Sequence, residues 1–267
     1  MRSRRVFVAL SLCLVLATSV LAQTPTTQSS SQALSLLQNS LVALTGGKSI
    51  TDVTLTGTVH RIAGSDDETG SATLKALTTG EARIDLVLAS GTYTEVRAFP
   101  NSGPTGSWVG PDGVIHAISQ HNLLTDPAWF FPALTATRIV SSGYAVTYVG
   151  HETIDSHAVE HIYVTRQFQA VGAPPSWTPE PLQRLAGMDV YLDSASLLPA
   201  SICFNVHPDN NALLDIPVVI RFSDYRATRG VQTPFRIERF FNNSLDLDLQ
   251  LQDSSVNSGL SPASFSL

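Results

Sequence analysis

Residues 222–240, FSDYRATRGVQTPFRIERF, hold two β-branched and aromatic runs joined by a polar turn at Arg229-Gly230. Such a pair reads as an antiparallel hairpin. The next segment settles the character of the ribbon. In LDLDLQLQ, residues 245–252, Leu245, Leu247, Leu249 and Leu251 alternate with Asp246, Asp248, Gln250 and Gln252. Successive side chains of a strand point to opposite faces, so one face of this ribbon is apolar and the other polar.

The same period recurs upstream. Val53, Leu55, Gly57 and Val59 alternate with Asp52, Thr54, Thr56 and Thr58, and Ile84, Leu86 and Leu88 alternate with Arg83, Asp85 and Val87. Further strands are expected over 71–77, 93–99, 144–149, 158–165, 188–192, 200–206 and 218–223. About eleven short strands favour a meandering antiparallel sheet or barrel over parallel βαβ units. Leu34, Leu37, Leu41 and Leu44 recur at helical spacing before Gly46-Gly47, so an amphipathic helix leads. In TDPAWFFPAL, Asp126 reads as a cap and Pro127 as the first position of a short helix carrying Trp129, Phe130 and Phe131, ended or redirected by Pro132. GAPPSWTPEPL, residues 172–182, is too proline-rich for a sheet interior and should cross its rim or edge.

The N-terminus reads as an export signal over residues 1–22: Arg2, Arg4 and Arg5, an apolar run over 6–15, and a small-residue cleavage site at Ala22. The apolar run is shorter than the roughly 20 residues of a membrane span. QTPTTQSSSQ, residues 23–32, reads as a disordered tether, and 33–267 as a single domain. An exported chain, periplasmic or extracellular, is the expectation. Cleavage after Ala22 would remove three arginines and no acid, taking the net charge from −6 to −9. That balance argues against nucleic acid. Cys203 is the only cysteine after residue 22, so no internal disulfide can form.

Several motifs invite chemistry. HAVEH, residues 157–161, matches a zinc-binding H-x-x-E-H spacing that works on a helix. The β-branched continuation Ile162-Tyr163-Val164-Thr165 instead implies a strand, on which His157 and His161 stand roughly 13 Å apart. TGGKS, residues 45–49, lacks the first glycine of a phosphate loop, since position 42 is valine. No G-x-S-x-G occurs. Cys203 and His207 are four strand residues apart, too far for a thiol and its base. Asp66-Asp67-Glu68 reads as a solvated hairpin turn.

DVYLDSASLLP at 189–199, IRFSDYRATRGVQTPFRI at 220–237 and LSPASFSL at 260–267 resemble the LolA-like superfamily of periplasmic lipoprotein carriers, with Asp193, Leu198-Pro199, Asp224-Tyr225, Gly230 and Pro234-Phe235 in the expected places. The resemblance implies a strongly curved, unclosed half-barrel around an apolar cavity, covered by a helical lid and occupied by lipid or acyl chains. It would put Trp129, Phe130 and Phe131 in the lid and Ile220, Phe222, Phe235 and Ile237 on the concave face. The expectation is an exported, non-enzymatic carrier or sensor of a hydrophobic ligand, without cofactor. The alternatives are an envelope scaffold or partner-binding protein with a filled core, and a metal-dependent hydrolase using His157, Glu160 and His161.

Overall fold

The computed structural model describes residues 27–99, 103–141, 143–168 and 180–267. Among these residues the alternating runs form one antiparallel sheet of thirteen strands. The first half comprises β1 (Asp52–Ala63), β2 (Asp66–Leu77), β3 (Ala82–Leu88), β4 (Gly91–Ala98), β5 (Thr105–Val109) and β6 (Ile115–Ala117). The second comprises β7 (Tyr144–Ile154), β8 (His157–Arg166), β9 (Met188–Asp193), β10 (Pro199–Val206), β11 (Ile216–Thr228), β12 (Val231–Phe241) and β13 (Ser244–Val256).

Each half is a meander of sequential hairpins, and the pairing of β1 with β13 welds them together, with Val53 opposite Val256 and Arg61 opposite Leu247. β6 and β7 are the two edges, so the sheet stays unclosed. Eleven strands correspond to those read from the sequence. The additional pair, β5 and β6, is short and carries Gly106, so no alternation develops. Between Thr56 and Gly57 the register with β13 shifts, because a bulge lets β1 pass close to its neighbour. A Cβ on Gly57 would lie 2.3 Å from the Gln250 carbonyl oxygen, which restricts this position to glycine.

The hairpin of residues 222–240 forms as expected. Arg229 and Gly230 both have positive φ, +51° and +83°, the mirror-image turn whose twist matches that of paired strands. The Lys48 ammonium donates to the Arg229 carbonyl and ties this turn to the end of the first helix.

That helix, α1 (Thr27–Thr45), begins inside the segment read as a tether, so residues 27–32 are helical. A polar run can extend a helix because only one stripe needs to be apolar. The helix ends at Gly46 and Gly47, with φ +59° and +78°, and the Gly46 N–H donates to the Val42 carbonyl at 2.8 Å. TGGKS is therefore a helix end and turn.

The aromatic segment differs from expectation. Residues 127–130 form a turn, and Pro132 opens the next helix, α2 (Pro132–Ser141), rather than ending one. Two local forces decide this. Asp126 Oδ1 accepts the Ala128 N–H at 2.8 Å and also pairs with Arg138 further along α2, while a proline without an N–H suits a first helical turn. The corrected reading places Trp129, Phe130 and Phe131 in the turn leading into α2.

α1 and α2 pack together over one face of the sheet. Leu37, Leu44, Phe130, Phe131 and Leu134 join Leu55, Leu74, Ile162, Ile220 and Ile237 in one continuous core. A third helix, α3 (Glu180–Leu185), begins within the proline-rich segment, of which residues 172–179 lie outside the described residues, as do the export signal and residues 23–26. No described helix is long and apolar enough to cross a membrane.

Candidate functional site: the concave trough

The inward face of β1 runs Val53, Leu55, Gly57 and Val59 and then reaches Arg61. On β12 the buried residues Val231, Thr233, Phe235 and Ile237 are followed by Arg239, and on β4 Tyr93, Glu95 and Arg97 share a face. Period two thus carries three arginines onto the surface that elsewhere holds the core.

Two pockets of about 170 Å³ each meet at Glu95 and Arg239. Arg61, Tyr93, Trp108 and Leu247 line the first; Arg97, Trp129, Phe204, Val218 and Phe241 line the second. β4 stands near one edge of the sheet and β10 to β12 lie well into the other half, so walls contributed by both record how far the sheet curls. Beyond Trp129, between α1, α2 and the strands, lies a smaller apolar cleft of about 20 Å³, bordered by Leu37, Ser40, Ile139, Leu192 and Phe222. That is room for about one water. Trp129 borders both the cleft and the trough.

The arginines are held differently. Arg239 pairs with Asp246, with N···O distances of 2.6–3.1 Å, and its guanidinium lies 5.4 Å from the Trp129 ring centre. Arg61 lies over the Tyr93 ring at 4.4 Å, and its Nη1 is buried without a hydrogen-bond partner. Arg97 is 7% exposed; its Nη2 donates to the carbonyls of Asn122 at 2.8 Å and Thr125 at 3.3 Å, and its Nε has no partner. Burial lowers the Arg97 pKa from its ordinary value, with the nearby Glu95 charge opposing the shift.

No family model matches the sequence, and no curated protein does. Solved structures do match. A candidate outer membrane lipoprotein-sorting protein domain from Vibrio parahaemolyticus aligns with a TM-score of 0.54 at 14% identity, covering 88% of this chain and 97% of that one. A LolA superfamily protein from Nitrosomonas europaea gives 0.54 at 11% identity, with 88% and 97% covered. A DUF1329 family protein from Desulfovibrio piger gives 0.53 at 12% identity, with 89% and 97% covered. The fold is LolA-like.

Within this LolA-like fold, the residues that carried the sequence resemblance are builders of turns and braces. Asp193 Oδ1 accepts the Ser196 N–H at 2.8 Å in the tight turn between β9 and β10. Tyr225 donates its buried hydroxyl to the Pro199 carbonyl at 2.8 Å, and burial pushes that phenol well above its usual range. Asp224 has φ +53° between the paired residues Ser223 and Tyr225 of β11, and its carboxylate accepts from the Arg226 guanidinium.

Of the seven residues assigned to lid and concave face, all are buried. Trp129 and Phe222 come together on the cleft. Phe130, Phe131, Ile220 and Ile237 are completely covered within the core, and Phe235 lies beneath the Arg226 guanidinium, 4.4 Å from its ring centre. The trough residues Arg61, Tyr93, Glu95, Arg97 and Arg239 were not singled out from the sequence. Extending each apolar alternation by one more step would have found Arg61 and Arg239.

HAVEH lies on β8, a strand, with His157 opposite Ile154 and His161 opposite Gly150. His161 is held between Glu152, 2.6 Å from Nδ1, and Asp189, 2.8 Å from Nε2, and stacks on Tyr191. Glu160 accepts the Tyr148 hydroxyl at 2.7 Å, which lowers the Glu160 pKa, and lies 2.9 Å from His151. Among the described residues no group of three or more His, Cys, Asp or Glu is placed to hold a metal ion. Burial pushes the Cys203 thiol up to about 11, so it stays protonated at neutral pH.

Proposed function

We propose that the protein is an exported carrier or sensor that binds a hydrophobic ligand, a lipid or an acyl chain, in its concave trough, without catalysing a reaction. The observation that carries this reading is the trough itself: two adjoining pockets of about 170 Å³ each, walled in part by Ile84, Leu86, Leu247, Phe204 and Val218, with Trp129 standing between them and a small apolar cleft. Their combined size reaches the lower end of the roughly 300–1,000 Å³ range of ligand sites. Each methylene removed from water there is worth about 0.8 kcal/mol, so a chain needs an apolar hollow more than polar anchors. The lipoprotein-sorting description of the Vibrio domain supports an acyl cargo. The basic and apolar start of the sequence supports export.

Lipid extraction and native mass spectrometry of protein purified from cells, followed by titration with a fluorescent fatty acid, test this reading. Co-purified lipid or saturable uptake is expected. A chain recovered empty and unable to take up the probe overturns it in favour of a scaffold or partner-binding envelope protein, the reading favoured by the tight 20 Å³ cleft. N-terminal sequencing of the exported chain should begin at Gln23.

A further inference from the structure

Orphaned polar atoms in a protein interior are uncommon, because each forfeits its bonds to water without replacement. Among the described residues five buried side-chain atoms lack a partner: Ser40 Oγ, Arg61 Nη1, Arg97 Nε, His121 Nε2 and His207 Nδ1. Three of the five, those of Ser40, Arg61 and Arg97, belong to residues lining the cleft and trough. Packing alone gives no reason for them to gather there.

The charges point the same way. The whole chain is acidic, with a net charge of −6, yet three arginines line this one space. Arg239 already has Asp246, whereas neither Arg61 nor Arg97 forms a salt bridge among the described residues. A guanidinium offers planar N–H donors matched to phosphate and carboxylate oxygens, and in a partly dry site such charge-assisted bonds are strong. Apart from Glu95, Thr94 and Thr125, the walls between the arginines are apolar or aromatic, and the lips are Trp108 and Phe241, 39% and 43% exposed.

Resting on the binding reading above, we propose that Arg61, Arg97 and Arg239 form a head-group site that receives the phosphate or carboxylate of an amphiphile, with its chain laid along the apolar trough walls of Leu86, Leu247, Phe204 and Val218. Arg61 and Arg97 supply unused donors, and Arg239, held by Asp246, adds positive charge beside Trp129. Glu95 stands in both pockets and opposes the anion, so it sets an upper limit on the affinity.

The test uses the full exported chain and displacement of a neutral naphthylamine probe by dodecyl phosphate, dodecanol and inorganic phosphate. Dodecyl phosphate should compete about tenfold better than dodecanol, the worth of one charge-assisted hydrogen bond in such a site. Arg61→Gln should erase most of that preference and Arg61→Lys should restore part of it, each variant first checked for an unchanged unfolding midpoint. Glu95→Gln should raise the preference about threefold. Equal competition by the two chains, unmoved by Arg61→Gln, overturns the head-group site and leaves the binding reading standing. Inorganic phosphate competing as well as dodecyl phosphate overturns the amphiphile and marks a simple anion site. Failure of both chains to compete removes the binding reading and this site with it.

Discussion

The two ends of the concave face are made by the same strands and could hardly differ more. At one end, Val53 and Leu55 of β1 and Val231 of β12 are buried in the core, and the cleft left between the helices and β9 to β11 is only about 20 Å³. At the other end, Arg61 and Arg239 continue the same inward alternation and border pockets of about 170 Å³. Backbone geometry is common to both; the side chain class changes within one strand step. A core can be closed by adding helices, whereas a guanidinium kept near solvent keeps its surroundings open, because burying it unpaired is costly.

Mutations can break that contrast. The largest effect is expected at the sealed end: Phe131→Ala, at a completely buried position, should cost about 4 kcal/mol in urea unfolding. A loss below about 1 kcal/mol would show that this end is as loose as the trough. Ion pairs sharpen the comparison. Asp126 and Arg138 are only 4% and 11% exposed, so Asp126→Ala, which strands a buried arginine and removes the Ala128 cap, should cost roughly 3 kcal/mol. Asp246→Ala at the trough should cost only about 1 kcal/mol, since water reaches the Arg239 pair. Similar losses at both sites would erase the distinction between sealed and open ends.

The smallest effect lies outside both ends and serves as a reference. The Tyr148 hydroxyl holds the Glu160 carboxyl below its ordinary range. A depressed carboxylate pKa stabilises the fold above the unfolded value of about 4.3, and the contribution fades as pH falls through the lower folded value. Tyr148→Phe should therefore cost about 0.5 kcal/mol at pH 7 and progressively less below about pH 4. Unfolding midpoints of the two proteins that stay equally far apart from pH 7 to pH 3 would disprove the linkage.

Much of the architecture was legible because period two is a local property. The leucines of 245–251, the turn at Arg229-Gly230 and the strand reading of HAVEH all follow from side chain class and spacing over a few residues, and each matches the structure. TDPAWFFPAL was misread for an equally local reason, since proline both ends helices and begins them. Only the pairing of Asp126 with Arg138, twelve residues on, favours the second role here. β5 and β6 escaped because short runs interrupted by glycine carry no period.

By itself the sequence determined that the chain forms a mostly antiparallel sheet with one apolar face, because alternation is written residue by residue. Tertiary structure alone decided which part of that face is filled and which is hollow. Glu95 and Arg97 meet Phe204, Val218 and Arg239 only because β1 and β13 join the two meanders and the sheet curls. No pattern along a single strand encodes the distance between strands so far apart in the chain, and a cavity is a property of that distance.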